Sequence, residues 1–170
     1  VHTLALAEAL VAAGSDVTVV ALGDPAQGFF RPVRAPWTIV AAPPPAEALE
    51  ERVFRSVDAL SAGLSSRAGD FDILHTQDCI AARAAVRVSG GRPVLRTVHH
   101  VDDFTTPALV DCQRQAILEP DVVLVVSRHW QSLLAEEYGV TAEVVHNGVD
   151  RERFRPIDPQ RRDALRRRIG

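Results

Sequence analysis

Lysine is absent from this chain of 170 residues, and all nineteen of its basic side chains are arginines. Methionine is also absent, and asparagine and tyrosine occur once each, as codon bias in a genome rich in G and C would produce. Without lysine, these residues provide no Schiff-base nucleophile, no P-loop and no lysine general base. The arginine usage is itself weak evidence for any function.

Cysteine is scarce. Cys79 and Cys112 both fall in predicted helices, without the spacing of a metal site, so we expect buried or half-buried thiols rather than ligands or a disulfide. No run approaches the roughly 18 apolar residues of a membrane span, and no signal-peptide pattern is visible. We therefore expect a cytoplasmic protein. A position at the cytoplasmic face of a membrane is compatible with the same pattern.

Charge and length limit the function further. The formal net charge of −3 argues against general affinity for nucleic acid, although residues 151–170 hold eight arginines against three carboxylates. A solvated helix face is the simplest interpretation of that basic segment. The length and the hydrophobic content of 46% predict a single compact domain with a core on two sides.

Short Val-rich runs alternate with amphipathic segments along the chain. Such alternation is typical of βαβ units with parallel pairing and right-handed crossovers, so we predict an α/β fold: a Rossmann-like open, mainly parallel sheet with helices on both faces. The predicted strands are 17–22, 37–41, 71–76, 93–98, 121–126 and 142–146. The predicted helices are 1–13, 46–68, 79–88, 107–118, 128–138 and 159–169, the last capped by Asp158 with Pro159 at its first position.

The two ends of the sequence look incomplete. A doubly wound domain is expected to open with a strand and a Gly-rich turn, and neither precedes the first predicted helix, so we expect a sheet that lacks this strand. The final helix has no strand after it, which suggests a further domain. We therefore assign 1–156 to one Rossmann-like domain and 157–170 to the start of a linker towards that further domain.

Polar side chains stand at the carboxyl ends of four predicted strands, the edge at which open α/β sheets bind ligands. These residues are His75, Gln77, Asp78, Thr97, His99, His100, Ser127, Asn147 and Asp150. A metal site is rejected, because His75 and Asp78 lack further ligands at recognisable spacing. A hydrolase triad is disfavoured, since there is no G-x-S-x-G elbow.

Several of these residues have simpler interpretations. Ser127 is expected to cap the next helix, whose amino end could also hold an anion. Asn147 and Gly148 form a strong turn signal, and the sequence is equally compatible with a structural turn and with a ligand contact. Of the adjacent pair of histidines only one need face the cleft, because neighbouring side chains of a strand point opposite ways. Asp102 could orient an imidazole, accept substrate hydroxyls or simply solvate its loop.

In their order and spacing, the motifs of this chain resemble the amino-terminal domain of GT-B glycosyltransferases. In particular, they resemble the retaining glycosyltransferase family 4, which includes bacterial glycosyl and mannosyl transferases and sucrose-synthase-like enzymes. The matching pieces are H-T-L-A-L-A-E-A-L-V-A-A-G-S-D-V-T-V (2–19), D-I-L-H-T-Q-D (72–78), T-V-H-H (97–100), V-S-R-H-W-Q-S-L-L (126–134) and V-V-H-N-G-V-D-R-E-R-F-R-P (144–156).

The resemblance implies one half of a GT-B fold, the half that binds the acceptor. A second domain, absent from this sequence, would bind the nucleotide sugar, and the full-length enzyme would transfer a hexose with retention to a small-molecule, glycan or lipid acceptor. The family's T-x-H histidine matches His99, which is therefore expected to be catalytic. The substrate-binding residues would be His75, Gln77, Asp78, Thr97, His100, Asp102, Ser127, Asn147 and Gly148.

The resemblance also implies that neither a metal nor another cofactor is required, because helix dipoles and basic side chains stabilise the leaving diphosphate. The family's glycine pair would precede His2 and is missing from the sequence, so the phosphate side of the cleft is expected to be incomplete. The carboxyl-terminal domain is missing too, so this chain alone is expected to be inactive. A Rossmann-like nucleotide- or sugar-binding module without catalysis is the alternative. An NAD-dependent oxidoreductase is a third interpretation, but no G-x-G-x-x-G is present.

Overall fold

The computed structural model describes residues 2–151 and 154–169. Residues 1, 152, 153 and 170 lie outside the described residues, and with them the first residue of the first predicted helix and part of the last motif. The helices are α1 (His2–Ala12), α2 (Leu49–Ser65), α3 (Cys79–Val88), α4 (Pro107–Leu118), α5 (Arg128–Tyr138) and α6 (Pro159–Ile169). The strands are β1 (Val19–Gly23), β2 (Trp37–Ala41), β3 (Leu74–Thr76), β4 (Val94–Val98), β5 (Val122–Val125) and β6 (Glu143–Val144).

The predicted α/β class is confirmed: every strand pair among the described residues is parallel, and a helix follows most strands. The strands nevertheless form two sheets, with β1 pairing β2 in one and β3, β4, β5 and β6 lying in that order in the other. The expectation of one continuous sheet therefore needs correction. No described strand hydrogen-bonds to both β1 and β3, and a groove of about 400 Å³ lies between them.

Helices cover both faces of the smaller sheet, as predicted. Val19 is buried against Leu4 and Ala7 of α1. Its neighbour Val20 packs against the cluster that contains Leu60 of α2. Because consecutive side chains of a strand point to opposite faces, these two contacts place α1 and α2 on opposite sides. The apolar run that forms β1 is therefore covered on both faces.

The strand that carries most of the site, β4, is held by buried residues on one face. Val94 packs with Leu74 and Ala85, while Val98 packs with Ile117 of α4 and the residues around it. Both valines are at most 2% exposed. Since their side chains point to the same face as that of Arg96, this packing fixes which residues of β4 face the helices.

Local signals set most of the helix boundaries. Asp78 caps α3 by accepting a hydrogen bond from the Ala81 amide at 2.7 Å, and Gly139 ends α5 with a left-handed φ of 68°. β3 and β6 are the two edge strands of the larger sheet and are shorter than predicted, with three and two residues. Within the described part of the chain, no helix has the length and apolar character to cross a membrane.

Candidate active site

The carboxyl ends of β3 and β4 lie side by side, because the two strands pair in parallel with Thr76 opposite Arg96. Gln77 and Asp78 follow β3, and His99 and His100 follow β4. These four residues line a cleft of about 190 Å³. Its wall also includes, among others, Arg96, Asp102, Phe104, Cys79 and Cys112. The structure thus brings together five of the predicted site residues: Gln77, Asp78, His99, His100 and Asp102.

His99 is the most constrained imidazole of the cleft. Its Nε2 lies 3.0 Å from Oε1 of Gln77. Because an amide oxygen can only accept, Nε2 carries the hydrogen and Nδ1 keeps a free lone pair. The ring also meets the edge of the His2 ring, with 4.7 Å between the centroids. His99 is therefore held by two contacts, with one nitrogen available to a ligand.

The surroundings of His99 favour its neutral form. Partial burial lowers the pKa of His99 below its usual range, and Coulombic interactions with neighbouring basic side chains, His2 first and Arg96 next, lower it further. A neutral imidazole can accept a hydrogen bond or a proton at Nδ1 near pH 7. This arrangement suits a group that accepts hydrogen bonds from the hydroxyls of a ligand.

His75 and Thr97 form a separate pair. The His75 Nε2 lies 2.8 Å from the hydroxyl oxygen of Thr97. Desolvation, followed by Coulombic interaction with His2, lowers the pKa of His75. Thr97 is buried, and His75 lines the groove between the two sheets rather than the cleft. Gln77 lines both spaces and connects them.

Asp102 stands in a loop that a buried glutamine holds in place. Gln113 of α4 accepts a hydrogen bond from the Asp102 amide at 2.9 Å and donates one to its carbonyl oxygen at 2.9 Å. The Asp102 carboxylate lies 3.6 Å from His100, and both side chains are at least half exposed. Sequence reasoning missed Gln113, because only the fold reveals a side chain that pairs with a backbone eleven residues away.

Ser127, Asn147 and Gly148 lie outside the cleft and the groove. Ser127 caps α5 by accepting from the Trp130 amide at 3.4 Å, which confirms its predicted structural role. Of the two interpretations left open for Asn147 and Gly148, the structural turn is not observed: both residues lie in an exposed irregular segment, and Gly148 does not adopt a left-handed φ. The Val145 amide instead donates to the Val125 carbonyl oxygen at 2.8 Å, so the chain continues alongside β5.

Two cysteines meet at the cleft, which the sequence did not indicate. The sulfur atoms of Cys79 and Cys112 are 3.8 Å apart, and both thiols are free. The hydrogen bond from Cys79 lowers the pKa of Cys112 to about 7, and the same contact raises the pKa of Cys79. Among the described residues, no three His, Cys, Asp or Glu side chains are grouped as a metal site would require.

A further feature that sequence reasoning missed is Arg96, which is 6% exposed at the floor of the cleft. The alternation of side chains along β4 would have placed it on the same face as the buried Val94 and Val98. That signal was present in the sequence, but an arginine between two core valines is not a recognised motif.

The fold defines a doubly wound α/β domain with a cleft at the carboxyl ends of its strands, the edge at which such domains bind ligands. Residues 1–153 match the family described as Glycosyltransferase Family 4, and the chain belongs to that family. It is 29% identical over 147 residues to D-inositol 3-phosphate glycosyltransferase 1 from Catenulispora acidiphila. That alignment covers 77% of this chain and 34% of the relative, so the chain spans about a third of the relative's length.

Solved structures show the same fold. Sucrose-phosphate synthase from Thermosynechococcus elongatus superposes with a TM-score of 0.70 at 19% identity, over 95% of this chain and 45% of that chain. A second structure of sucrose-phosphate synthase from the same organism gives a TM-score of 0.61 at 22% identity, over 96% of this chain and 91% of that chain. The Rossmann-like half of a GT-B fold predicted from the sequence is therefore confirmed.

Proposed function

We propose that this chain is the acceptor-binding part of a glycosyltransferase that transfers a hexose from a nucleotide sugar with retention of anomeric configuration. The observation that carries this proposal is the contact between Gln77 and His99 at 3.0 Å, at the wall of a cleft between two parallel strand ends. Family membership supports the reaction class. The donor, the stereochemistry and the acceptor are the parts that experiment must test.

The chemistry of the cleft supports contact with hydroxyl groups. The free Nδ1 of His99 can accept from a hydroxyl of the transferred sugar or of the acceptor. The exposed carboxylates of Asp78 and Asp102 and the imidazole of His100 can hydrogen-bond further hydroxyls at the mouth. We assign His99 as the catalytic group and Gln77 as the residue that orients its ring.

The leaving diphosphate would be bound elsewhere. A retaining transferase of this architecture can stabilise it with helix dipoles and basic side chains instead of a metal, so no metal or other cofactor is required in the proposed reaction. In this proposal those groups belong mainly to a second domain, and the nucleotide sugar reaches His99 across the interface. The chain by itself is then inactive and binds nucleotide sugars weakly.

The test is a transfer assay with the full-length protein. UDP- and GDP-hexoses are combined with polyols, polyol phosphates, sugars and glycolipids, and nucleoside diphosphate release is measured together with product mass. The name of the Catenulispora relative makes inositol phosphate one acceptor to include. An α-linked product from an α-linked donor, identified by NMR, would support retention, and a β-linked product would contradict it. Activity that survives EDTA would support a reaction without a metal.

A second measurement separates the transferase from a non-catalytic binding module. Calorimetry of this chain with the same nucleotide sugars should give weak or no binding. Micromolar affinity for a nucleotide sugar in this chain, together with no transfer by the full-length protein, would favour the module. The cytoplasmic location expected from the sequence stays a prediction, which fractionation of cells expressing the tagged protein would check.

A further inference from the structure

Arg96 has an unusual environment for an arginine. The residue as a whole is 6% exposed, and the Nε and Nη1 atoms of its guanidinium are fully buried without a hydrogen-bond partner. Within the described part of the chain, Arg96 forms no ion pair. A charged guanidinium with buried, unpaired donors opposes folding, because its lost hydration is not replaced. Such a group is more readily understood as part of a binding site than as part of the core.

The guanidinium lies at the floor of the cleft, where a helix begins. Residues 78–80, at the amino end of α3, line the same cleft. The first amides of a helix have no partners within that helix, and its dipole places partial positive charge at this end. Asp78 satisfies one of these amides, that of Ala81. The floor of the cleft therefore combines a full positive charge with hydrogen-bond donors.

The carboxylates of the cleft, Asp78 and Asp102, attract the Arg96 guanidinium, but among the described residues neither forms an ion pair with it. Asp78 and Asp102 are exposed at the mouth, where water and salt screen their charge. Asp78 is used as the cap of α3, and Asp102 lies beside His100. The buried guanidinium is shielded from water to a much greater extent, so its interactions with a ligand at the floor are stronger than those of the carboxylates at the mouth.

We propose that Arg96 and the amino end of α3 form an oxyanion subsite at the floor of the cleft, which binds a phosphate or carboxylate group. In the context of the proposed function, this group belongs to the acceptor. That assignment rests on the proposed function, whereas anion binding at Arg96 does not. The acceptor would thus carry a negative charge on one side and present its hydroxyl towards His99.

The test is calorimetric titration of the chain with inorganic phosphate, with acetate and with glycerol at constant ionic strength. We expect saturable binding of phosphate, acetate or both, and no binding of glycerol. Replacement Arg96→Gln should weaken anion binding at least roughly tenfold, since it removes a charge-assisted hydrogen bond. The matched control is Arg114→Gln, which removes the same charge from an exposed position of α4 outside the cleft and should leave binding unchanged.

Thermal unfolding gives a second readout. Because Arg96→Met removes a buried unpaired charge, its Tm without anions should equal or exceed that of the unchanged chain. Phosphate or acetate should raise the Tm of the unchanged chain and of Arg114→Gln, but not that of Arg96→Met. Binding of phosphate alone identifies a phosphorylated ligand, and binding of acetate alone identifies a carboxylate.

Three results would overturn the subsite: no saturable binding of either anion, equal weakening in the Arg96 and Arg114 variants, or a marked fall in Tm on Arg96→Met. These outcomes are independent of the transfer assay. If the chain binds anions through Arg96 but the full-length protein has no transferase activity, the subsite is supported and the proposed function is refuted.

Discussion

Replacing His99 with alanine in the full-length protein should abolish most of the transfer activity and leave the fold intact. The His99 side chain packs against Gln77 and His2 at the rim of the cleft, so its removal leaves no cavity in the apolar core. One positioned acid, base or electrostatic group contributes roughly 10²-fold or more to a rate, which corresponds to about 2.7 kcal/mol of activation free energy. We therefore expect kcat/KM to fall by roughly that factor.

Neighbouring histidines provide the comparison. His100→Ala removes an exposed imidazole that also lines the cleft and should reduce kcat/KM by less than about tenfold. His129→Ala removes an exposed imidazole of α5 outside the cleft and should have no effect. The assay is initial-rate transfer with a verified donor and acceptor, with circular dichroism as the check of folding.

The pH profile tests the role of Gln77. Gln77→Glu places a carboxylate where the amide oxygen now lies 3.0 Å from the His99 Nε2. A negative charge at this distance raises the pKa of an imidazole, so the acidic limb of kcat/KM should move to higher pH.

Equal, near-normal activities of the His99 and His100 alanine variants would show that His99 is only structural and would refute the site.

Other consequences can be measured directly. With diamide as oxidant, Cys79 and Cys112 should join in one disulfide because their sulfur atoms lie 3.8 Å apart; thiol titration should then fall to zero, and Cys112→Ser should prevent the bridge. The lowered pKa of His99 means that the unfolded chain binds the proton more tightly, so the free energy of unfolding should decrease as pH falls below about 6.5. His99→Gln should reduce this pH dependence in urea titrations, and an unchanged slope would contradict it. Gly63→Ala should cost about 1–3 kcal/mol of stability because its Cβ would collide with Val40, and unfolding at an unchanged urea concentration would disprove that clash.

The sequence predicted those elements whose signals are local. α3, α4 and α5 begin and end where they were predicted, because Asp78, Pro107, Ser127 and Gly139 are start or stop residues next to apolar periodicity. The strand at 37–41 was also predicted correctly. The division into two sheets was not predicted, since strand neighbours depend on residues far apart in sequence and not on the pattern within a strand.

The candidate site was also predicted only in part, because the sequence indicates which residues stand at strand ends but not which of them contact one another. The rule that ligands bind at the carboxyl ends of parallel strands was enough to choose Gln77 and His99, but not to predict that they form a hydrogen bond. The contact between Cys79 and Cys112 and the pairing of Gln113 with the Asp102 backbone join residues of different elements. Such contacts follow from how the helices pack, which neither propensity nor spacing encodes.

One strand supplies both the proposed anion subsite and the proposed catalytic group. Side chains of β4 alternate between the helices and the groove, so Arg96 faces α3 and α4 while Thr97 faces His75. A shift of β4 by one residue would exchange these faces and remove the guanidinium from the cleft floor. The buried Val94 and Val98 oppose that shift, because it would expose both to the groove. The apolar core thus stabilises the domain and also fixes the distance between the charged floor and the imidazole at the rim, on which an acceptor bound at both points would depend.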